Sequence, residues 1–471
     1  MVSVIVGSAI LAVTLVLFAL IGMLYARGRV KGVEDYVAAR HSIGTWRAAA
    51  TFTASVMGAW ILFSPAESAT WGGLPAVVGY GIGSAAPLIA FAFIAPRIRN
   101  LMPRGHSVTE YVWYRYGLIM YVFVLGVTAF YMFIFLTAEL TAIALAFSLV
   151  ADLPLYVTAL LVGLSVVAYT AYGGLKASLI TDNIQAVVLA VVLTVSFVAT
   201  FIILGDPVII WTNLTQSNPQ LVDWGFRPGI EFAVLVTIAI LAANLFHQGY
   251  WQRIWSCKDE KSLRNGFLIA SLAVIPIVIL PGFLGMVAQG MGVVTHPSIA
   301  LLSMLVAILP ELLLVAILFF ALALTASSLD TLFNGIISLA SSDVSRFRPR
   351  YSKQALLRWS KIATIILAAP AIYIAAQGFS VLYLFLLADL ICAAAAVPVF
   401  LGLYSGRPSG HRALIASLAG LSAGLMFFVQ DELLLAFLSA FFLPALISFA
   451  TLSFGKKFDL KNLKERVSLI D

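Results

Sequence analysis

Residues 311–340 read ELLLVAILFFALALTASSLDTLFNGIISLA, an apolar stretch long enough to cross a bilayer that carries hydroxyls and a carboxylate near its centre. Lipid offers these groups no hydrogen-bond partner, so they must face protein or water. Ser327 and Ser328 follow Leu324 by three and four residues, so on a helix their oxygens gather on the side of the Leu324 carbonyl. The cluster suits close helix packing with bonds to the preceding turn, or a site for a small hard cation.

The composition of the whole chain is that of a membrane protein. Of its 471 residues, 62% are hydrophobic and only 10% are charged, whereas about half of a soluble domain is apolar. The sequence therefore predicts an all-α integral membrane protein surrounded by the lipid bilayer. It contains no zinc motif, no serine nucleophile elbow and no phosphate loop, so it does not indicate an enzyme.

Apolar segments of about 17 or more residues, the length that crosses a hydrocarbon core of about 30 Å, occur thirteen times along the chain. They are 4–26, 48–70, 74–95, 118–149, 155–171, 181–204, 231–250, 267–290, 311–340, 355–376, 380–404, 412–429 and 433–454. No long polar linker separates them, so residues 1–471 are predicted to form a single transmembrane domain.

The basic residues divide the loops between these spans into two sides. Every second loop carries Lys or Arg, beginning with Arg27 to Arg47, and of the 28 basic residues only Arg227 falls on the opposite side. Because cytoplasmic loops retain basic residues, the N-terminus is predicted outside and the C-terminus in the cytoplasm. We expect a multi-pass protein of the plasma (inner) membrane, whose formal charge of +7 reflects topology and implies no nucleic acid.

Two of the predicted spans have the features of broken helices. In the second span, small residues dominate 54–59, and Ser64, Pro65 and Glu67 follow within two turns. The seventh span, five spans later, turns polar at Asn244. Unwound backbone at membrane depth is tolerated only where it lines a cavity, and paired broken helices mark the binding sites of many secondary transporters.

Five separated motifs occur along the chain. They are DYVAAR at 35–40, YGGLKA at 172–177, TDNIQ at 181–185, QGYWQR at 248–253 and ASSLD at 326–330. In identity and order they resemble the motifs of the sodium/solute symporter family, which includes sodium-coupled proline, sugar, sialic acid and urea transporters, and the loops look nearer to the urea-type branch. The resemblance implies a solute transporter, and no obligate protein partner is evident.

The resemblance also implies a fold of two inverted five-helix repeats. The first repeat would occupy 46–204 and the second 231–404. One extra span within 1–30 would precede them, two spans within 412–454 would follow, and 455–471 would form a basic cytoplasmic tail. The broken spans would then hold corresponding positions in the two repeats.

The family's main sodium site joins the unwound backbone of its first core helix to its eighth. Carried over by motif, the resemblance implies the carbonyl oxygens of Ala54, Met57 and Leu324 and the hydroxyls of Ser327 and Ser328 as sodium ligands. Five neutral oxygens suit a monovalent cation, because a divalent ion usually brings carboxylates. We therefore expect Na⁺ as the coupling ion.

Two acidic residues are expected near the route of this ion. The resemblance places Asp182 on the inner sodium route or at a second ion site, and a helix N-cap at the start of the sixth span is the alternative. Asp330 lies one turn beyond Ser327 and is expected on the sodium exit route. A salt bridge to a basic loop residue is the alternative for Asp330.

Five residues around the broken segments are the candidate solute ligands. They are Trp60, Ser64, Glu67, Tyr80 and Asn244. The aromatic rings could stack on a solute and the amide could bond it, with core packing as the alternative for the rings. Glu139 and Asp389 are further intramembrane acids, for which a structural role fits equally well.

The predicted function is sodium-coupled symport of a small polar organic solute, such as urea or an amino acid, by alternating access. The alternatives are a proton-coupled transporter in which Asp182, Glu67 or Asp330 titrates, and a sensory membrane domain without transport. Val56 stands where proline transporters of the family carry an aspartate, and Ala243 where its sugar transporters carry a gating tyrosine. The sequence therefore leaves the solute open.

Overall fold

The structure is a computed structural model that describes residues 2–26, 39–347, 353–454 and 458–467. This part of the chain is helical and contains no β-strand, only an isolated bridge between Ile43 and Cys257. Residues 35–38 of the first motif lie outside the described residues. So do 455–457 and 468–471 of the predicted basic tail.

The helices follow one another with short connections and are numbered in chain order. They are α1 (Val4–Ala26), α2 (Thr45–Val56), α3 (Ser64–Leu101), α4 (Val108–Tyr116), α5 (Leu118–Ala151), α6 (Leu155–Leu204), α7 (Pro207–Ser217), α8 (Arg227–Asn244), α9 (Gln248–Ser256), α10 (Glu260–Gly290), α11 (Ala300–Ile308), α12 (Glu311–Phe347), α13 (Lys353–Ala375), α14 (Val381–Phe400), α15 (Gly410–Phe428), α16 (Leu433–Ala450) and α17 (Asn462–Arg466). A 3-10 turn, Ala59–Leu62, lies between α2 and α3.

The second predicted span is broken where small residues dominate its sequence. The last backbone bond of α2 joins the Met57 N–H to the Thr53 carbonyl at 3.1 Å, and Met57 and Gly58 are then extended. The chain re-forms as the 3-10 turn before α3 begins at Ser64. Because a helix end leaves its last carbonyls without intrahelical partners, this break presents backbone oxygens to its surroundings.

A kink at Gly73 separates the second and third predicted spans, which are otherwise continuous in α3. Gly73 has φ 61° and ψ −155°, a backbone conformation that L-residues rarely adopt. A side chain there would also overlap the carbonyl oxygen of Leu221. Glycine at this position therefore allows the chain to turn between the two spans.

The seventh predicted span is broken as well. α8 ends at Asn244 and α9 begins at Gln248, and the N–H of Phe246 bonds the Ala243 carbonyl at 2.9 Å in the connecting turn. His247, the residue before α9, is extended and buried. The two breaks lie five predicted spans apart, as an inverted repeat of five helices requires.

Eight described helices are long and apolar enough to cross a membrane, or nine if the bent pair Val198–Leu204 and Val208–Ser217 counts as one span. The predicted spans 2 and 3 are counted together, as Ala59–Leu101, although the kink at Gly73 separates them. In the first and tenth spans, α1 (Val4–Ala26) and α13 (Lys353–Ala375) have 23 residues each. The total of thirteen stays a prediction.

Helix α6 departs most from the predicted boundaries. We expected two spans, 155–171 and 181–204, with a loop around Lys176, and the structure has one helix of 50 residues. The only strong helix breakers in the expected loop are Gly173 and Gly174, and a helix tolerates each at a cost of about 1 kcal/mol. If straight, this helix would measure about 75 Å, more than twice the hydrocarbon core of about 30 Å.

Several loops that the sequence assigned to one side do lie together. Arg99, beyond the third predicted span, donates to the Cys257 carbonyl at 2.9 Å and contacts His41 at 2.9 Å. Arg115 donates to the Pro408 carbonyl at 3.0 Å. The loops before spans 2, 4, 8 and 12 therefore meet at one end of the helix bundle, which places the start of α2 and the start of α10 at that end.

Candidate functional site

Backbone oxygens of the broken second span face two hydroxyls of α12. The Ser327 Oγ lies 3.4 Å from the Ala54 carbonyl oxygen, and the Ser328 Oγ lies 3.2 Å from the Met57 carbonyl oxygen. Both serines are buried, with relative exposures of 1% and 0%. We call these four atoms the oxygen cluster. It joins four of the five residues that the resemblance implies as sodium ligands.

The dimensions of the oxygen cluster fit a cation. Na⁺ is close in radius to Ca²⁺, whose oxygen ligands lie about 2.4 Å away, so two ligands at right angles stand about 3.4 Å apart. Without an ion, the two contacts are long hydrogen bonds from the serine hydroxyls to the carbonyls, and their separations of 3.4 and 3.2 Å would also suit two ligands of one cation. The carboxyl end of α2 carries the negative end of a helix dipole, which also favours a cation.

Leu324, the fifth implied ligand, lies one turn before Ser328 on α12. Its side chain is buried, with 3% of its surface exposed. Leu324 and Ser328 lie on the same side of α12, so the Leu324 carbonyl would approach the oxygen cluster from that side. The role of this carbonyl as a ligand stays a prediction.

Asp182 forms a buried ion pair next to the oxygen cluster. Its Oδ2 accepts from Arg253 Nη2 at 2.7 Å and from Thr51 Oγ1 at 2.5 Å, and its Oδ1 lies 2.9 Å from Ser327 Oγ. The side chains of Asp182 and Arg253 are both fully buried. Asp182 lies inside α6 rather than at its start, so the alternative of a helix N-cap is wrong, because the helix does not begin there.

The ion pair extends along α12 toward Asp330. Arg253 Nη2 also donates to Thr331 Oγ1 at 3.0 Å, and Thr331 Oγ1 lies 3.4 Å from Asp330 Oδ1. Asp330 is buried, with 1% of its surface exposed. Both acids that were expected on the sodium route therefore belong to one polar network, which is centred on Arg253.

Glu139, on α5, hydrogen-bonds the backbone at the break in the second span. Its Oε2 accepts the backbone N–H of Ala59 at 2.9 Å, at the start of the 3-10 turn. A Cβ at Gly58 would overlap the Glu139 carboxylate. Glycine therefore lets this carboxylate approach the unwound backbone, and Glu139 has the structural role that was one of its two alternatives.

Replacing Gly58 with alanine should destabilise the protein by about 1–3 kcal/mol, because overpacking would push Glu139 away from the Ala59 N–H. The measurement is the melting temperature of the purified protein with and without Na⁺. The matched control is Gly126→Ala on the same helix as Glu139, where an added Cβ meets nothing within 4 Å and alanine should be neutral or slightly stabilising. Equal melting temperatures for the two variants would contradict the role of Glu139.

A pocket lies beside the break in the second span, and Trp60, three residues after Met57, is part of its lining. Its lining consists of Trp60, Tyr80, Ser84, Tyr131, Phe135, Ile240, Asn244, Phe385 and Asp389. These residues come from the 3-10 turn and from α3, α5, α8 and α14, so both broken spans contribute. The structure thus brings together Trp60, Tyr80 and Asn244, three of the five predicted solute ligands.

Ser64 and Glu67, the other two predicted solute ligands, are not among the residues that line the pocket. Both Glu67 oxygens accept from Ser380 Oγ at 2.9 Å, which ties the first turn of α3 to the start of α14. Ser64 is fully buried in the first turn of α3. The 3-10 turn before α3 changes the helical phase, so these residues do not share a face with Trp60.

Sequence reasoning did not assign six of the pocket residues as solute ligands: Ser84, Tyr131, Phe135, Ile240, Phe385 and Asp389. Tyr131 and Phe135 are four residues apart on α5, and Phe385 and Asp389 are four apart on α14. Residues at this spacing share one helix face. The available signal was this paired spacing inside otherwise apolar spans.

Comparison with known proteins gives a match over most of the chain. The profile described as Sodium:solute symporter family matches residues 36–420. Spermidine transporter DUR31 of Candida albicans is 28% identical over 361 residues, 75% of this chain and 67% of that protein. The urea active transporter of Saccharomyces cerevisiae is 24% identical over 432 residues, 83% of this chain and 58% of that protein.

A solved structure has a similar fold. It is described as the substrate-bound outward-open state of a Na⁺-coupled sialic acid symporter. The TM-score is 0.80 with 18% sequence identity, over 97% of this chain and 99% of the other. The helical arrangement described above is therefore one that a sodium-coupled transporter also adopts.

Proposed function

The chain belongs to the sodium:solute symporter family, and from that premise we propose that it carries a small polar organic solute into the cell together with Na⁺. It is a membrane transporter rather than an enzyme. The observation that carries the proposal is the oxygen cluster, in which Met57 and Ala54 of a broken helix face Ser328 and Ser327 of α12.

Sodium would act as a bridge between the second span and α12. A ligand shifts a conformational equilibrium only through different affinities for the two states. The oxygen cluster supplies such a difference, because its two carbonyls and two hydroxyls lie on separate helices and would part if the helices moved. Bound Na⁺ would therefore favour the state in which α2 and α12 are close.

The break in the second span offers a direct coupling between ion and solute. Met57 contributes its carbonyl to the oxygen cluster, and Trp60, three residues later, lines the pocket. Glu139 holds the segment between them through the Ala59 N–H. An ion that orders Met57 would therefore also position Trp60, so Na⁺ would raise the affinity for solute, and solute for Na⁺.

Asp182 and Asp330 would lie on the path by which sodium leaves. Both are connected through Arg253 and Thr331 to the inner side of the oxygen cluster. Asp182 also contacts Ser327 directly. Breaking the Asp182–Arg253 ion pair would therefore also affect Ser327, a proposed sodium ligand. We assign them to the exit route and keep a second ion site at Asp182 as part of the same proposal.

We include thirteen spans, an outside N-terminus and a plasma-membrane location in the same proposal, and the contacts of α6 bear on the number of spans. Near the start of this helix, Leu155 lies close to Gly378, while at its end Leu204 lines a cavity with Gly290 at the far end of α10. Asp182, in its middle, reaches Arg253 near the basic end of the bundle. Two crossings within 155–204, as two five-helix repeats at 46–204 and 231–404 require, would need the chain to reverse direction near Asp182.

The test is uptake into liposomes that contain the purified full-length protein. Solutes would include those named for the relatives, spermidine and urea, together with amino acids and sugars. We expect uptake to require an inward Na⁺ gradient and to stop when K⁺ replaces Na⁺. Uptake that persists in K⁺ and collapses with the proton gradient would contradict sodium coupling, and an absence of any gradient-driven uptake would favour the sensory alternative.

A further inference from the structure

One buried acid in the membrane region has no partner among the residues that the structure describes. Asp389 of α14 lines the pocket with 4% of its surface exposed, and the described part of the chain offers it no hydrogen bond or ion pair. Glu67 and Glu139 differ, because they accept from Ser380 and from the Ala59 N–H. A carboxylate buried without a partner is costly, so Asp389 either holds a proton or meets a cation that comes from elsewhere.

The pocket around Asp389 supplies further hydrogen-bond acceptors. Asn244 uses its Nδ2 to bond the Ile240 carbonyl at 2.9 Å, which leaves its Oδ1 buried with no donor among the described residues. The Ser84 Oγ is likewise buried and lacks a partner in the described ranges. The described lining contains no Lys, Arg or His side chain. The ligand that best complements this lining is therefore a cation that carries N–H donors.

The remaining walls of the pocket are aromatic. Trp60 and Tyr80 stack with ring centroids 5.8 Å apart, and Phe385 meets Trp60 edge-on at 6.0 Å and Phe135 at 5.0 Å. The faces of such rings attract an ammonium group and accept its hydrocarbon chain. A neutral solute could hydrogen-bond Asp389 but would leave the charge of its carboxylate uncompensated, and an anionic solute would be repelled.

We propose that the solute is a protonated organic amine, whose ammonium group pairs with Asp389 and bonds Asn244 and Ser84 while its carbon chain packs against the aromatic walls. This inference rests on the proposed transport function and names the class of its solute. It also assigns Asp389 as a specificity-determining residue.

The test compares two solutes that differ in charge and little else. Putrescine and 1,4-butanediol share a four-carbon chain and differ in their terminal groups. Binding would be measured by thermal shift on the purified full-length protein in lipid nanodiscs, in Na⁺ and in K⁺. We expect putrescine to bind and the diol to bind at least about tenfold more weakly. Asp389→Asn should weaken putrescine binding by about 10- to 100-fold.

Two further variants separate charge at this site from damage to the fold. Asp389→Glu keeps the charge and should keep the preference for putrescine over the diol. Glu67→Gln removes a buried carboxylate that lies outside the pocket lining, and it should also keep the preference. Equal losses in the Asp389→Asn and Glu67→Gln variants would overturn the assignment of Asp389.

The same data distinguish this inference from the proposed function. If urea or another neutral solute stabilises the protein in Na⁺ and Asp389→Asn leaves that response unchanged, the amine inference falls and sodium coupling stands. If Na⁺ stabilises the protein but no amine does, the inference is also overturned. If putrescine binds equally in Na⁺ and K⁺ and Asp389→Asn abolishes that binding, the inference stands and sodium coupling falls.

Discussion

Replacing Ser328 with alanine is expected to abolish the response of the protein to sodium at physiological concentrations. The substitution removes the hydroxyl that faces the Met57 carbonyl at 3.2 Å and leaves the helix otherwise intact. A hydrogen-bond-like contact to a charged group contributes about 1.5–3 kcal/mol, so the sodium concentration for half-maximal uptake should rise by about 10- to 100-fold. The measurement is solute uptake into liposomes as a function of Na⁺.

The control is a second buried hydroxyl on the same helix. Thr325 is fully buried, and its Oγ1 has no hydrogen-bond partner within the described residues. Thr325→Val keeps the volume, so it should leave the sodium dependence unchanged. Ser327→Ala should resemble Ser328→Ala, with an added effect through its contact with Asp182. If Ser328→Ala retained the sodium response of the wild type, the sodium site would be wrong.

Replacing Asp182 with asparagine is expected to destabilise the protein by about 3–5 kcal/mol. The change leaves the Arg253 guanidinium fully buried without its carboxylate, and removing one partner of a buried ion pair has a cost of this size. Arg253 also donates hydrogen bonds to Thr51 and Thr331. Loss of the Asp182 carboxylate should therefore weaken the contacts of both α2 and α12. The measurement is the free energy of unfolding in mixed micelles.

Two comparisons make this result specific. The double variant Asp182→Asn/Arg253→Gln removes both charges and should recover part of the lost stability, which a double-mutant cycle would report as coupling. Glu231→Gln breaks an exposed ion pair to Arg227, with N and O 2.6 Å apart, and should change stability little because water screens such pairs. If Asp182→Asn were as stable as the wild type, the ion pair would not hold these helices together.

The sequence predicted the parts of the site that depend on local chemistry. Hydroxyls in an apolar helix and small residues in mid-membrane both indicate cavities, and Ser327, Ser328, Ala54 and Met57 meet across the break as their motifs imply. The ends of the first helix were also readable, because α1 has the bounds of the predicted first span. The signals within each helix lie close together in the chain, whereas the pairing of α2 with α12, 271 and 273 residues apart at these contacts, came from the resemblance.

The rest depends on distant contacts that a single sequence does not contain. Arg253 was noted only as the last residue of the QGYWQR motif, beyond the predicted seventh span, yet it is buried beside Asp182, 71 residues earlier in the chain. Asp389 and Glu67 are both acids in apolar spans, and only packing separates the one that faces the pocket from the one that bonds Ser380. Sequence patterns therefore could not predict which residues of α3 face the pocket after the 3-10 turn. They also could not predict which partner each buried acid binds.

The most direct measurement is equilibrium binding of radioactive sodium to the purified wild-type protein and to the Ser327→Ala/Ser328→Ala double variant. The account predicts that the wild type binds Na⁺, that unlabelled Na⁺ but not K⁺ displaces it, and that the folded double variant loses this binding. Equal sodium binding by the two proteins would contradict the oxygen cluster as the coupling site.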